Sequence, residues 1–219
     1  MFSKKNLIIF ASNNLFCEDK VSYHWTMKNQ LENIKKVISN YIEISDEEWE
    51  SYSSKLCVKE VQKKEIILKQ GEICREVFFV VDGLLRVFFV DNEGEEKTFH
   101  FSFENTFSAD YESFLKKIPS NYSIQALEDT TIVLMSYEML HDGYKSLRNG
   151  ERLGRLLTEE YFFIFNDKIQ ALYTQSPIER YHNLTEKFPN ILQRITQHYI
   201  ASYLNISSVH LSRLKNSKP

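Results

Sequence analysis

The stretch from Val58 to Val133 most limits what this chain can fold into. Its apolar residues stop recurring at helical intervals and fall into short β-prone runs. The runs are Glu65 to Lys69, Glu76 to Val81, Leu84 to Val90, Glu95 to Phe103, Tyr122 to Leu127 and Thr130 to Tyr137. Between them lie Gln70-Gly71-Glu72, Asp82-Gly83 and Asp91-Asn92-Glu93-Gly94. The whole chain has only six glycines, so their concentration at these junctions marks turns. Asp82-Gly83, between two aromatic and β-branched runs, predicts a hairpin. Short antiparallel strands at close spacing predict a barrel or roll, shapes that leave little exposed sheet edge.

On both sides of this stretch the period is helical. Leu31, Ile34, Val37, Ile38, Tyr41 and Ile42 give an amphipathic helix after Met27. Ser45 followed by Asp46, Glu47 and Glu48 is an N-cap with an acidic first turn, predicting a second helix to about Leu56. Met27 reads as the natural start, with residues 1–26 an upstream extension, disordered or loosely attached. Lys4 and Lys5 before Leu7 to Ala11 superficially resemble an export signal, but the apolar run is short and interrupted by Asn13 and Asn14.

After the strands, Tyr137 to Tyr144 reads as a short helix and residues 149–173 as a long one. The long helix carries Leu153, Leu156, Leu157, Tyr161, Phe162, Phe163, Ile164, Phe165, Ile169 and Leu172, too many for one narrow face. One side is expected to pack on the roll. The other is expected to form a dimer seam of Leu153, Leu157, Tyr161 and Ile164, continued by Lys168 and Ala171 at near-heptad spacing. Burial inside a monomer is the alternative.

Ser176-Pro177-Ile178-Glu179 restarts a helix, with Ser as cap and Pro at the first helical position, and marks a domain boundary. Near the end, Gln197 to Leu204 has helical spacing, and Asn205 breaks it with a residue that tolerates a left-handed backbone. Ser207 can cap a second short helix whose Leu211 and Leu214 face inward. This pattern predicts a helix-turn-helix that offers Ser207, Ser208, Val209, His210, Ser212, Arg213 and Lys215 to DNA. A helical hairpin that merely packs has the same periodicity. Charge separates the two: residues 174–219 hold six basic and two acidic side chains, a net of +4, whereas the whole chain carries −3. Residues 1–173 therefore carry −7, and the basic end suits nucleic acid.

Other chemistry finds little support. Cys17, Cys57 and Cys74 lack metal-ligand spacing and read as reduced, structural thiols in a cytoplasmic protein. No apolar run is long enough to span a bilayer. His24, His100, His141, His182, His198 and His210 stand at no catalytic spacing, and neither a glycine-rich phosphate loop nor HExxH occurs. Neither catalysis, a metal nor a cofactor is expected.

Helices, a β-roll, a long helix and a helix-turn-helix, in that order, resemble the Crp/Fnr family of bacterial transcription regulators. Ser176-Pro177-Ile178-Glu179-Arg180-Tyr181, Phe188 to Ile195, Tyr199 to Ile206 with Leu211-Ser212-Arg213, and Asp110 to Phe114 look like the variant common in Bacteroidetes. The resemblance implies an α+β fold: a sensor domain similar to cyclic nucleotide-binding domains at 27–148, a dimerisation helix at 149–173 and a DNA-binding domain at 174–219. It implies double-stranded DNA and a second copy of the chain as partners, with a small-molecule effector and RNA polymerase as further ones, and no membrane. Members that bind cyclic nucleotides carry a Gly-Glu pair and, eleven residues after the Gly, an Arg-Ser or Arg-Thr pair. That spacing falls here on Ala109-Asp110 and Ser120-Asn121, so the phosphate-binding Arg is missing. In the recognition helix the best-known members have Arg and Glu where this chain has Ser208 and Val209, and only Arg213 is retained, which implies a different operator. A ligand-binding module that signals through protein contacts is the alternative function.

Overall fold

The computed structural model describes residues 24–216, which begin with two helices, α1 (His24–Ser39) and α2 (Asp46–Ser53). Ile34, Ile38 and Ile42 are buried against the rest of the protein, as the amphipathic spacing requires. At α2 the Ser45 hydroxyl accepts from the Glu48 amide while the Glu48 carboxylate accepts from the Ser45 amide, closing a capping box. The first helix begins at His24, before Met27. The remaining extension, Cys17 and Lys218 lie outside the described residues.

Eight strands follow within these residues: β1 (Cys57–Val61), β2 (Ile66–Leu68), β3 (Glu76–Asp82), β4 (Leu85–Val90), β5 (Glu96–Ser102), β6 (Phe107–Ser108), β7 (Ser123–Ala126) and β8 (Thr130–Ser136). They form two four-stranded antiparallel sheets, ordered β1-β8-β3-β6 and β2-β7-β4-β5. The Asp91 to Gly94 turn joins β4 and β5 as a hairpin. Asp82-Gly83 does not make the hairpin expected of it, because β3 pairs with β8 and β6 while β4 pairs with β5 and β7. The turn instead carries the chain from one sheet to the other. Gly83 has φ +100, and a Cβ there would lie 2.5 Å from the Thr130 hydroxyl, so the crossing needs glycine twice over. Within the two sheets Phe79, Val80, Leu85, Ile124, Ile132 and Val133 are wholly buried.

A short helix, α3 (Tyr111–Lys116), interrupts the roll, and α4 (Tyr137–Ser146) and α5 (Gly150–Thr174) leave it. A Cβ on Gly154 would come within 2.5 Å of the Tyr144 ring, so that glycine lets α5 lie close to α4. The C-terminal helices are α6 (Pro177–Lys187), with a capping box of Ser176 and Glu179, α7 (Ile191–Arg194), α8 (Gln197–Tyr203) and α9 (Ser208–Asn216). Leu184, Ile191, Ile195, Ile200, Ala201, Leu204 and Leu211 form their core, and Leu84 and Phe101 of the roll belong to the same cluster. The C-terminal unit therefore sits against the β4–β5 face. Phe103 stacks on Phe188 at 4.3 Å, and the Ser202 hydroxyl accepts from the Thr98 amide at 2.8 Å.

Candidate recognition helix and effector pocket

The turn between α8 and α9 is built from two residues. Asn205 has φ 55, the left-handed conformation that Asn tolerates, and the Ser207 hydroxyl accepts from the His210 amide at 3.1 Å. Leu211 is fully buried and Leu214 half-buried, so the rest of α9 turns outward. Ser207, Ser208, Val209, His210, Ser212, Arg213 and Lys215 are all exposed, Val209 by 62%. The face that the sequence assigns to DNA is thus a solvent face of a helix anchored through Ala201, Leu204 and Leu211.

Part of the basic excess serves the fold instead. The Arg180 guanidinium donates to the Gln175 and Leu204 carbonyls at 2.6 and 3.1 Å. Arg194 donates to both oxygens of Glu104 at 2.6 and 3.1 Å, to Glu128, and to the Gly83 carbonyl at 3.1 Å. Hydrogen bonds donated to these carboxylates raise the Arg194 pKa above its ordinary value. Arg86, which sequence reasoning did not single out, is wholly buried under α8. Its Nε donates to Thr98 at 2.8 Å, its Nη1 pairs with Glu96 at 2.6 Å, and its guanidinium lies 4.0 Å from the Tyr199 ring. The available signal was a lone Arg inside the apolar run Leu84 to Val90.

In the roll, Asp110, Ser120 and Asn121 come together, with Ala109 just before Asp110. Asp110 caps α3, its Oδ1 accepting from the Ser113 amide at 3.1 Å. Its Oδ2 is 2.8 Å from the Ser120 hydroxyl and accepts from the Asn121 amide at 3.1 Å. Asp110 and Ser120 are buried, Ala109 is half-buried, and Asn121 is exposed. Lys116 pairs with Glu112 at 2.7 Å, and the Lys117 ammonium lies 4.5 Å from the Tyr137 ring. Both nearby lysines are therefore engaged elsewhere.

Next to this network a cavity of about 450 Å³ separates the roll from α4 and α5. Val87, Phe99, Phe107, Leu157, Tyr161 and Phe165 are among its walls. The Tyr161 hydroxyl donates to the Phe107 carbonyl and accepts from its amide, both at 2.7 Å. The residues expected to form the dimer seam lie on this side of α5 and stay half-buried. Leu153 packs on the roll core, and Leu157 and Tyr161 face the cavity, because the near-heptad set coincides with the side of α5 that the roll covers. Ile164 is half-buried. The exposed apolar side chains of α5 are Phe162 (64%), Phe163 (58%), Ile169 (52%), Leu172 (38%) and Tyr173 (87%). Lys168, farther along the roll-facing side, donates to the Phe99 carbonyl and lies 3.9 Å from the Tyr203 ring of α8. Burial pulls its pKa down to about 7.

Comparison with known proteins agrees with this architecture. Residues 58–146 match the family model of the cyclic nucleotide-binding domain. A search of curated proteins gives no match. Among solved structures, FixK2 from Bradyrhizobium japonicum superposes with a TM-score of 0.65 at 17% identity, over 73% of this chain and 82% of that one. A protein of Eubacterium rectale assigned to the Crp/Fnr family of transcriptional regulators gives 0.63 at 20% identity, over 80% and 85%. The c-di-GMP-responsive global regulator CLP of Xanthomonas campestris gives 0.61 at 11% identity, over 78% and 89%. The chain thus joins a segment that matches the cyclic nucleotide-binding domain to C-terminal helices, in a fold shared with these regulators.

Proposed function

We propose that this protein is a dimeric DNA-binding transcription regulator of the Crp/Fnr type whose roll no longer binds a cyclic nucleotide phosphate. The observation that carries the DNA reading is α9. It is a short helix held by a buried Leu211, with Ser208, Val209, Ser212 and Arg213 on its exposed surface. Such a helix fits the major groove, where Arg213 can reach a guanine edge or a phosphate. The exposed apolar stripe of Phe162, Phe163, Ile169 and Tyr173 supplies a seam for a second copy, which would set two recognition helices at a fixed spacing.

The roll's phosphate site does not fit a cyclic nucleotide. Amides and a hydroxyl that could receive a phosphate instead hold the Asp110 carboxylate, and a second anion there would meet like charge without an Arg to neutralise it. Sequencing genomic fragments retained by the purified protein tests the DNA reading. A shared motif with two half-sites is expected, with affinity falling steeply with salt. Arg213→Ala should lose about 1–3 kcal/mol if it reads a base, or lower the salt slope by about one unit if it holds a phosphate. Weak, salt-insensitive retention without a motif would refute the reading.

A further inference from the structure

We propose that the cavity between the roll, α4 and α5 binds an uncharged, largely apolar molecule of aromatic size. The proposal rests on reading the roll as a sensor and names the class of molecule it senses. At about 450 Å³ the cavity has the size of a small-molecule site. Val87, Phe99, Phe107, Leu157 and Phe165 give it apolar and aromatic walls, and no lysine or arginine is among its lining residues.

Two carboxylates reach the lining, Asp110 and Glu112. Asp110 is committed to Ser113, Ser120 and Asn121, and Glu112 to Lys116. The Lys168 ammonium is committed to the Phe99 carbonyl and the Tyr203 ring. An anionic ligand would shed its water, find no lining cation and approach the Asp110 charge. A cationic ligand would find both carboxylates already engaged.

The remaining polar groups offer hydrogen bonds without charge. The Tyr111 and Tyr144 hydroxyls lie 3.4 Å apart on the wall, and burial holds the His100 pKa down at about 3, so its imidazole is neutral at physiological pH. The walls are also braced. Tyr161 is tied to the Phe107 backbone, and Gly154 seats α5 against Tyr144, so the space cannot close by a simple side-chain rotation.

The test compares two dyes with the same aromatic skeleton on the full chain: neutral N-phenyl-1-naphthylamine and anionic 8-anilino-1-naphthalenesulfonate. Saturable binding of the neutral dye at one site per chain, with blue-shifted emission, is expected, and the sulfonate should bind about tenfold more weakly or worse. Leu157→Trp fills the cavity and should abolish neutral-dye binding while circular dichroism is unchanged. If that variant does not fold, Val87→Phe fills the opposite wall. Asp110→Asn keeps an N-cap acceptor but removes the charge, so it should strengthen sulfonate binding and leave the neutral dye unaffected. Equal affinity for both dyes, absent neutral-dye binding, or binding that survives cavity filling, as on the exposed α5 stripe, would overturn the proposal. DNA binding measured in parallel separates the two readings. Protein that holds DNA but not the neutral dye overturns this inference alone, and protein that holds the dye but not DNA overturns only the regulator reading.

Discussion

Removing the Arg194 guanidinium should uncouple the C-terminal helices from the roll. Arg194 lies at the end of α7, yet its partners Gly83, Glu104 and Glu128 all belong to the roll, 66 to 111 positions away in sequence. One planar fork spans two carboxylates and a carbonyl, which a lysine cannot reproduce. Breaking a fully buried pair by truncating one partner costs about 3–5 kcal/mol. Here the side chains of Arg194, Glu104 and Glu128 are 26%, 31% and 32% exposed, so water partly rehydrates the abandoned carboxylates. A loss of about 2–3 kcal/mol is expected for Arg194→Ala, and a smaller loss for Arg194→Lys.

Urea unfolding of Arg194→Ala, Glu104→Gln and the double variant measures the coupling directly. Burial raises the Glu104 pKa, but the hydrogen bond from Arg194, the backbone amides and the guanidinium charge together outweigh it and hold the carboxyl below its ordinary value of 4.5. The clamp's stability is therefore present in full above that ordinary value and is lost as the pH falls through the lowered one. The cycle should show coupling above about 1 kcal/mol at pH 7 that shrinks in acid. Additive single variants, or an Arg194→Ala protein within about 0.5 kcal/mol of wild type, would refute the reasoning.

Three further outcomes are expected. Phe162→Glu and Phe163→Glu should yield monomers with weakened operator binding, since each ring exposes more than half its surface on α5; sedimentation of a wild-type monomer at micromolar concentration would sink the seam. Calorimetric titration with cyclic AMP or cyclic GMP should show weak binding or none, and a submicromolar dissociation constant for either would contradict the Asp110 argument. Because burial lowers the Lys168 pKa to about 7, the unfolded chain binds the extra proton between that value and the ordinary 10.5, so stability should rise with pH across this window. Lys168→Met should flatten the rise, and an unchanged pH profile would show that the lysine is not desolvated.

Local chemistry was the legible part of the sequence. Ser45, Ser176 and Ser207 cap helices because a hydroxyl before a helix start has nearby amides to satisfy, and Asn205 takes a left-handed turn for reasons internal to the residue. What a segment meets across the fold was not legible. Asp82-Gly83 shows where the chain reverses, yet which strand lies beside β3 depends on β8, about fifty residues later. Neither β1 nor β6 was separated out, the first carrying exposed Lys59 and Glu60 and the second only two residues long. The net charge of residues 174–219 counts Arg180 and Arg194 in the basic excess that suits DNA, whereas their partners are carbonyls and carboxylates within the chain.

The roll-facing side of α5 has a physical consequence. Leu153, Leu157, Tyr161, Phe165 and Lys168 recur three and four apart, so one stripe of a single helix runs along the roll. Its middle lines the cavity, and its far end touches α8 through Tyr203. Phe99 takes part in both contacts, as a cavity wall beside Phe165 at 5.1 Å and as the residue whose carbonyl holds Lys168. A molecule in the cavity would meet these rings, and one that displaced them would move the base on which Lys168 meets Tyr203. Close packing leaves few intermediate positions for such rings. Beside that stripe the same helix presents Phe163, Ile169 and Tyr173 outward, with the exposed Phe162 at the rim of the cavity. A rigid-body rotation or shift of α5 that accommodated a ligand would therefore re-aim the exposed stripe and the α8 contact together, through side chains already in contact and without a separate hinge.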